Sequence, residues 1–122
     1  MSNRVVHFEI PCDNPEKTME FFKETFGWTF QQFGSEQYWF AKTGEDNESG
    51  INGAVMKRRN PLQPITNSIS VEDIDRTIEE IKEHGGTVVV EKTAIPGTGW
   101  MAFFKDPDDN IHGLWQDAKK VK

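Results

Sequence analysis

Length, composition and charge narrow the classes of protein that this sequence can represent. Its 122 residues suit one domain with its own hydrophobic core. The 20 acidic residues outnumber the 14 basic ones, and the net charge of −6 argues against nucleic-acid binding as the main task. The single cysteine, Cys12, excludes an intramolecular disulfide and is typical of a reducing compartment. Without an apolar run of membrane-spanning length or a signal-peptide pattern, we expect a cytoplasmic protein that does not enter membranes.

The first half of the chain predicts a strand, a helix and three further strands. Alternation of apolar and polar residues over 5–10 indicates the first strand. Asn14-Pro15 is typical of a helix start, and Gly27 is typical of a helix end. The further strands are predicted at 28–33, 37–43 and 51–57. A linker at 59–65, which contains two prolines, then separates this half from the next.

The second half repeats the pattern of the first. Residues 16–24 align with 75–83 at a constant offset of 59 positions (75 − 16 = 59). The same offset pairs His7 with Thr66 and Glu9 with Ser68. Apolar spacing and turn residues predict a strand, a helix and three strands at 66–71, 74–84, 87–91, 99–105 and 111–116.

The repeat predicts two tandem βαβββ modules, 1–58 and 66–122, within a single domain of residues 1–122. One such module cannot cover both faces of its sheet. We therefore expect an α+β protein whose two modules form a curved, partly open mixed β-barrel with the helices outside.

Four stretches of the sequence carry a resemblance to a known family: the opening strand at 5–11, the helix that ends at Gly27-Trp28, and residues 97–100 and 104–115. They resemble the vicinal-oxygen-chelate superfamily, which contains glyoxalase I, extradiol dioxygenases, fosfomycin-modifying enzymes and bleomycin-binding proteins. The chain is most similar to a glyoxalase-like branch, related to lactoylglutathione lyase, whose members mostly lack an assigned reaction. The resemblance implies the same duplicated fold.

The resemblance also implies where a metal site would lie. In metal-using members, the first and last strands of each module hold a divalent ion that chelates two neighbouring substrate oxygens. By position these ligands fall on His7, Gly53, Thr66 and Gly113, and only His7 has a ligand side chain. Glu9 shares a strand face with His7, but zinc, iron or manganese usually takes three or four protein ligands. We therefore predict no cofactor and keep a divalent metal as the alternative.

His7 and Glu9 are the candidate catalytic residues, because a histidine beside a carboxylate can act as a general base. A histidine that is merely hydrogen-bonded inside the sheet is the competing interpretation. Gly53 and Gly113 are expected to leave room in a ligand cavity, and His112 is expected to point away from it. The aromatic candidates suit a core as well as a cavity. The complete ligand-binding prediction is His7, Glu9, Trp39, Gly53, Thr66, Trp100, Phe104, Gly113 and Trp115.

The favoured hypothesis is a metal-free small-molecule binding protein of this superfamily. We expect an aromatic-lined cavity for an apolar or aromatic ligand, in a homodimer. The alternatives are a divalent-metal-dependent lyase, isomerase or dioxygenase that uses His7 and Glu9, and metal-free acid/base catalysis by the same pair. The sequence leaves open the ligand, whether any reaction is catalysed and the role of His112.

Overall fold

A computed structural model describes residues 3–118 of the chain, which form two compact units. One unit is residues 7–66, and the other is residues 67–118 together with 3–6. The two βαβββ repeats nearly coincide with these units, and we call them module one (4–57) and module two (66–117). The ends of the predicted modules, at 1–2 and 119–122, lie outside the described residues.

Module one has one helix and four strands. In chain order they are β1 (Arg4–Cys12), α1 (Pro15–Phe26), β2 (Thr29–Gln32), β3 (Tyr38–Lys42) and β4 (Gly53–Lys57). The strand order is β2-β3-β4-β1. β1 and β4 run parallel, whereas β4, β3 and β2 pair antiparallel in turn.

Local sequence signals explain where α1 begins and ends. The side chain of Asn14 accepts a hydrogen bond from the backbone N–H of Lys17 at 3.2 Å, and Pro15 occupies the first helical position. At the other end, Gly27 adopts a left-handed conformation with φ of 76°, which costs glycine little. The helix therefore occupies the range that the sequence predicts.

Module two repeats this arrangement. Its elements are β5 (Thr66–Ser70), α2 (Ile74–Glu83), β6 (Thr87–Ile95), β7 (Gly99–Lys105) and β8 (Ile111–Asp117). The strand order is β5-β8-β7-β6, with β5 and β8 parallel and the other two pairs antiparallel. Asp73 caps α2 by accepting from the backbone N–H of Arg76 at 3.1 Å.

Each module buries small and branched side chains, in module two beneath its helix and in module one on both faces of the sheet. In module two, α2 contributes Ile74 and Ile78 to a buried cluster with Val71, Ala102 and Leu114. In module one the buried apolar residues are Cys12, Ala41, Ala54, Val55 and Met56. This burial is the main source of stability available to either module.

The α+β class and the two βαβββ modules agree with the sequence prediction. The clearest difference is β6, which continues to Ile95 instead of ending near Glu91. Register shifts between Val88 and Val90, and again between Val90 and Thr93, interrupt the alternation by which a strand is recognised. Within residues 3–118, neither helix has the length and apolar character needed to cross a membrane.

Candidate functional site

Three side chains of module one form a connected polar group, which we call the His7–Tyr38–Glu9 triad. The Nε2 of His7 lies 2.9 Å from the hydroxyl of Tyr38, and that hydroxyl donates a hydrogen bond of 2.6 Å to Oε2 of Glu9. His7 and Glu9 also approach directly, with Nε2 and Oε2 3.9 Å apart. Their side chains are 26% and 17% exposed, so solvent or a ligand can reach the triad.

The strand pairing explains why these residues meet. His7 and Glu9 are two positions apart on β1, so both side chains leave the same face of the sheet. Tyr38 begins β3, and β4 lies between β3 and β1. The residue paired with Glu9 on β4 is Ala54, whose methyl side chain is small enough for Tyr38 to reach across.

Burial sets the protonation of the triad. It lowers the pKa of His7 below the ordinary value of 6.5, and the negative charge of Glu9 only partly opposes this effect. Burial also raises the pKa of Tyr38 far above its usual range, and the charge and hydrogen bond of Glu9 act in the same direction. Near neutral pH the imidazole is therefore neutral and the phenol keeps its proton.

Aromatic rings stand beside the triad. The ring centroids of Phe33 and Phe40 lie 6.4 and 5.5 Å from that of Tyr38 and 5.5 Å from each other, in edge-to-face arrangements. Phe40 is 44% exposed, which is high for such a large apolar side chain. With His7 it lines an open groove of about 470 Å³, the His7 groove. The remaining residues of that groove are Thr29, Phe30, Gln31, Ala41, Lys42, Asp46, Asn52 and Gly53.

Trp39, another predicted ligand-binding residue, does not join this group, and its part in ligand binding stays a prediction. It follows Tyr38 on β3 and therefore points to the opposite face. There it lines a second groove with Met19 and Lys23 of α1. The same face carries Ala41, which is buried. The tryptophan belongs to the helix side of module one.

Trp100 and Phe104 are also on the helix side, in module two. Both pack against the cluster that contains Ala102 and Leu114. Gly113 lies between His112 and Leu114 on β8, so it faces the other way. Trp100 and Phe104 therefore do not share a face with Gly113, because they pack against the cluster beneath α2, and their part in ligand binding stays a prediction.

At Gly53 and Gly113 the space that a side chain would need is already occupied. A Cβ atom at Gly53 would lie 2.5 Å from the ring and from the carbonyl oxygen of Phe8. A Cβ at Gly113 would meet Oγ of Ser68 at 3.1 Å and Cε1 of Phe103 at 3.3 Å. The predicted room is therefore already filled by neighbouring side chains and backbone.

The strand register also corrects the position that corresponds to Gly113 in module one. Gly113 pairs with Ser68 on β5, and Ala54 pairs with Glu9 on β1. Since Glu9 corresponds to Ser68, the counterpart of Gly113 is Ala54 and not Gly53, which agrees with the offset of 59 (113 − 54 = 59).

Thr66 and Trp115 are the remaining candidates of the second module. Thr66 is buried at the start of β5. Trp115 shares the Gly113 face of β8, and its indole N–H donates to Oδ1 of Asp117 at 2.6 Å. Their part in ligand binding stays a prediction.

His112 has a structural role within its turn. Its Nε2 lies 2.8 Å from Oδ2 of Asp106, and its ring stacks on Phe104 with centroids 5.2 Å apart. Oδ1 of Asp106 also accepts from the backbone N–H groups of Asp108 and Asn110. The hydrogen bond to His112 is the main reason that the pKa of Asp106 lies well below its usual range. As predicted, His112 faces away from Gly113.

The donor set does not fit a divalent metal. Within residues 3–118, no three or more histidine, cysteine, aspartate or glutamate side chains converge into a group that could hold one. His7 and Glu9 supply two donors at most, and both are engaged by Tyr38.

The lowered pKa of His7 leads to a pH-dependent prediction about stability. The folded state favours neutral imidazole, so this contribution is complete above the unfolded pKa near 6.5 and is lost as the pH falls below it. His7→Gln keeps an N–H donor but does not titrate. We expect the free energy of unfolding of the native protein to fall more than that of the variant when the pH is lowered from 7 to 5. Urea unfolding at the two pH values measures the difference. Parallel pH profiles would contradict the pKa assignment.

Comparison with known proteins places this geometry in a family. The family model described as the Glyoxalase/Bleomycin resistance protein/Dioxygenase superfamily matches residues 4–112. A glyoxylase-like domain-containing protein of Didymella fabae is 26% identical over 122 residues, covering 93% of this chain and 94% of that protein. CFP32 of Mycobacterium bovis is 28% identical over 118 residues, and the chain spans only 45% of its length.

Solved structures share the predicted fold across nearly the whole chain. A glyoxalase/bleomycin resistance protein/dioxygenase superfamily member of Vibrio splendidus has a TM-score of 0.68 at 17% identity, covering 94% of this chain and 98% of that one. Methylmalonyl-CoA epimerase of Mycobacterium tuberculosis also has a TM-score of 0.68, at 12% identity, covering 97% and 90%. The family resemblance and the fold class are thereby confirmed, and this chain belongs to the Glyoxalase/Bleomycin resistance protein/Dioxygenase superfamily.

Proposed function

We propose that the protein binds an apolar or aromatic small molecule in the His7 groove without a metal ion. The observation that carries this proposal is the His7–Tyr38–Glu9 triad, a polar group beside exposed aromatic rings. Binding sites typically combine an apolar wall with a few polar groups that orient the ligand. Here the ring of Phe40 supplies an apolar wall, and His7 supplies a polar group in the same groove.

The hydrogen bonding of the triad favours binding without metal. A metal-binding imidazole and carboxylate direct their lone pairs at one open position. In this protein, Nε2 of His7 and Oε2 of Glu9 both approach the hydroxyl of Tyr38, which fills the place between them. A divalent ion in that place would have to displace two hydrogen bonds.

Metal-free acid/base catalysis is the second candidate, and the lowered pKa of His7 favours it. Because the imidazole is neutral near pH 7, it can accept a proton from a bound substrate. Glu9, joined to His7 through Tyr38, would stabilise the imidazolium that results.

We also propose that the protein is a cytoplasmic homodimer. Phe21 and Leu62 support the dimer, because their side chains are largely exposed and a partner subunit would cover them.

The proposal predicts ligand binding by chelator-treated protein. We would measure melting temperature with a panel of two-ring aromatic compounds such as 2-naphthol, with and without added zinc, nickel or manganese. A ligand at a hundred times its Kd should stabilise the fold by about 2.7 kcal/mol, seen as a raised melting temperature. No stabilisation by any compound would contradict the binding function. Stabilisation only when metal is present would favour the metal-dependent alternative.

A matched pair of variants locates the site. Phe40→Ala removes the aromatic wall of the His7 groove and should weaken binding about tenfold, since truncation of a contacting aromatic ring commonly costs more than 1 kcal/mol. Phe26→Ala removes a ring from the α1 side that is more exposed, at 61% against 44% for Phe40, and should leave the affinity unchanged. Equal effects of the two substitutions would place the ligand elsewhere.

A further inference from the structure

We infer that the His7 groove selects aromatic molecules that donate a hydrogen bond, such as phenols and N–H heterocycles, because the triad leaves Nδ1 of His7 as an acceptor. This inference rests on the proposed binding function and names its ligand class.

The first step is the direction of the hydrogen bonds. A phenol has one proton, and the hydroxyl of Tyr38 donates that proton to the carboxylate of Glu9 at 2.6 Å. The same oxygen lies 2.9 Å from Nε2 of His7 and can only accept there. Nε2 must therefore carry the proton in this bond.

The second step concerns the other ring nitrogen. A neutral imidazole has one N–H, so protonation at Nε2 leaves a lone pair at Nδ1. No hydrogen bond within residues 3–118 engages Nδ1, and no buried side-chain nitrogen or oxygen of these residues lacks a partner. Nδ1 is therefore accessible rather than sealed in the sheet.

The third step is the chemistry that complements this nitrogen. His7 lines the groove together with the exposed ring of Phe40, so a planar ligand stacked on the ring comes within reach of the imidazole. An O–H or N–H on that ligand would satisfy Nδ1. A carboxylate would instead place a second lone pair against Nδ1, and a methyl ether has no proton to donate to it. The triad therefore acts as a specificity device.

The tautomer can be measured directly. Long-range ¹H–¹⁵N spectra of the ligand-free protein at pH 8 distinguish protonated from unprotonated ring nitrogens, and His7→Gln identifies the His7 signals among those of His84 and His112. We expect the Nε2–H tautomer in the native protein and a mixture in Tyr38→Phe, which keeps the ring and loses the hydroxyl. An Nδ1–H tautomer in the native protein would overturn the inference, because the site would then require an acceptor on the ligand.

Matched probes test the ligand class. Native protein should bind 2-naphthol about fivefold more tightly than 2-methoxynaphthalene, the value of one ordinary hydrogen bond. This preference should shrink in Tyr38→Phe, although the native measurements decide the matter even if that variant does not fold.

The outcomes separate the inference from the function on which it rests. Equal affinity for the two probes overturns the donor requirement and leaves the binding function standing. Failure of every probe to bind overturns the binding function, and the inference falls with it whatever tautomer is found.

Discussion

Gly53→Ala is expected to destabilise the protein by about 3 kcal/mol, near the upper end of the cost of overpacking a core. The added Cβ would lie 2.5 Å from the carbonyl oxygen of Phe8 and as close to its ring. A flexible side chain could move aside, but the carbonyl belongs to β1, which pairs directly with β4. Relief of the contact therefore requires these two strands to separate. Urea unfolding of the variant measures the loss.

Gly44→Ala is the matched control. Its Cβ would meet only the end of the Glu48 side chain, at 3.1 Å from Oε1. That exposed carboxylate can shift, at the expense only of a surface hydrogen bond that it accepts from the backbone N–H of Glu45. We expect a change within about 0.5 kcal/mol, as for other surface substitutions. If Gly53→Ala were as mild as this control, the position would be open, and the idea of a glycine-widened cavity would regain its basis.

The sequence predicts the elements of the fold well because their signals are local. Asn14-Pro15 and Gly27 delimit α1, and the second module repeats the pattern at a constant offset. β6 is less well predicted, since its register shifts break the alternation. Consecutive polar residues such as Glu91 and Lys92 do not alternate with apolar ones, so this part of the strand is not recognisable from the sequence.

Periodicity predicts which residues lie on the same face of a strand, but it does not predict whether that face packs against a helix or lines a cavity. Trp100, Ala102 and Phe104 do lie together, yet they face α2. The sequence alone does not distinguish a large aromatic residue in the core from one that lines a cavity. The neighbouring Ala102 offers a partial clue, because a small residue between two large ones on a strand fits closely against a packed helix.

Tyr38 is the residue that sequence reasoning missed. Nothing in its spacing from His7 or Glu9 suggests contact, because the contact depends on strand order. The order β3-β4-β1, together with small Ala54 on the middle strand, is what allows the hydroxyl to reach β1. A non-local pairing of this kind follows from topology, which composition and periodicity do not encode.

Ile74→Ala is expected to lower the free energy of unfolding by about 3 kcal/mol, within the range measured for buried isoleucine truncations. Ile74 is 0% exposed and packs in the cluster with Val71, Ile78 and Leu114. Its backbone N–H also donates to Oε1 of Gln116 at 2.8 Å, which fixes the start of α2 against β8. The surroundings therefore have little freedom to collapse into the vacated space, and the cost of a cavity adds to the lost burial.

The matched control for this truncation is Ile65→Ala, the same chemical change at a side chain that is 64% exposed. We expect an effect below about 0.5 kcal/mol there. Urea unfolding should show a lower midpoint for Ile74→Ala with an unchanged m-value, because the area exposed on unfolding hardly changes. Comparable losses at the two isoleucines would contradict the assignment of Ile74 to the core.

Ligand affinity separates the effect on stability from the effect on binding. The His7–Tyr38–Glu9 triad lies in module one, so affinity measured well below the unfolding midpoint should survive Ile74→Ala. The same affinity should fall with Phe40→Ala.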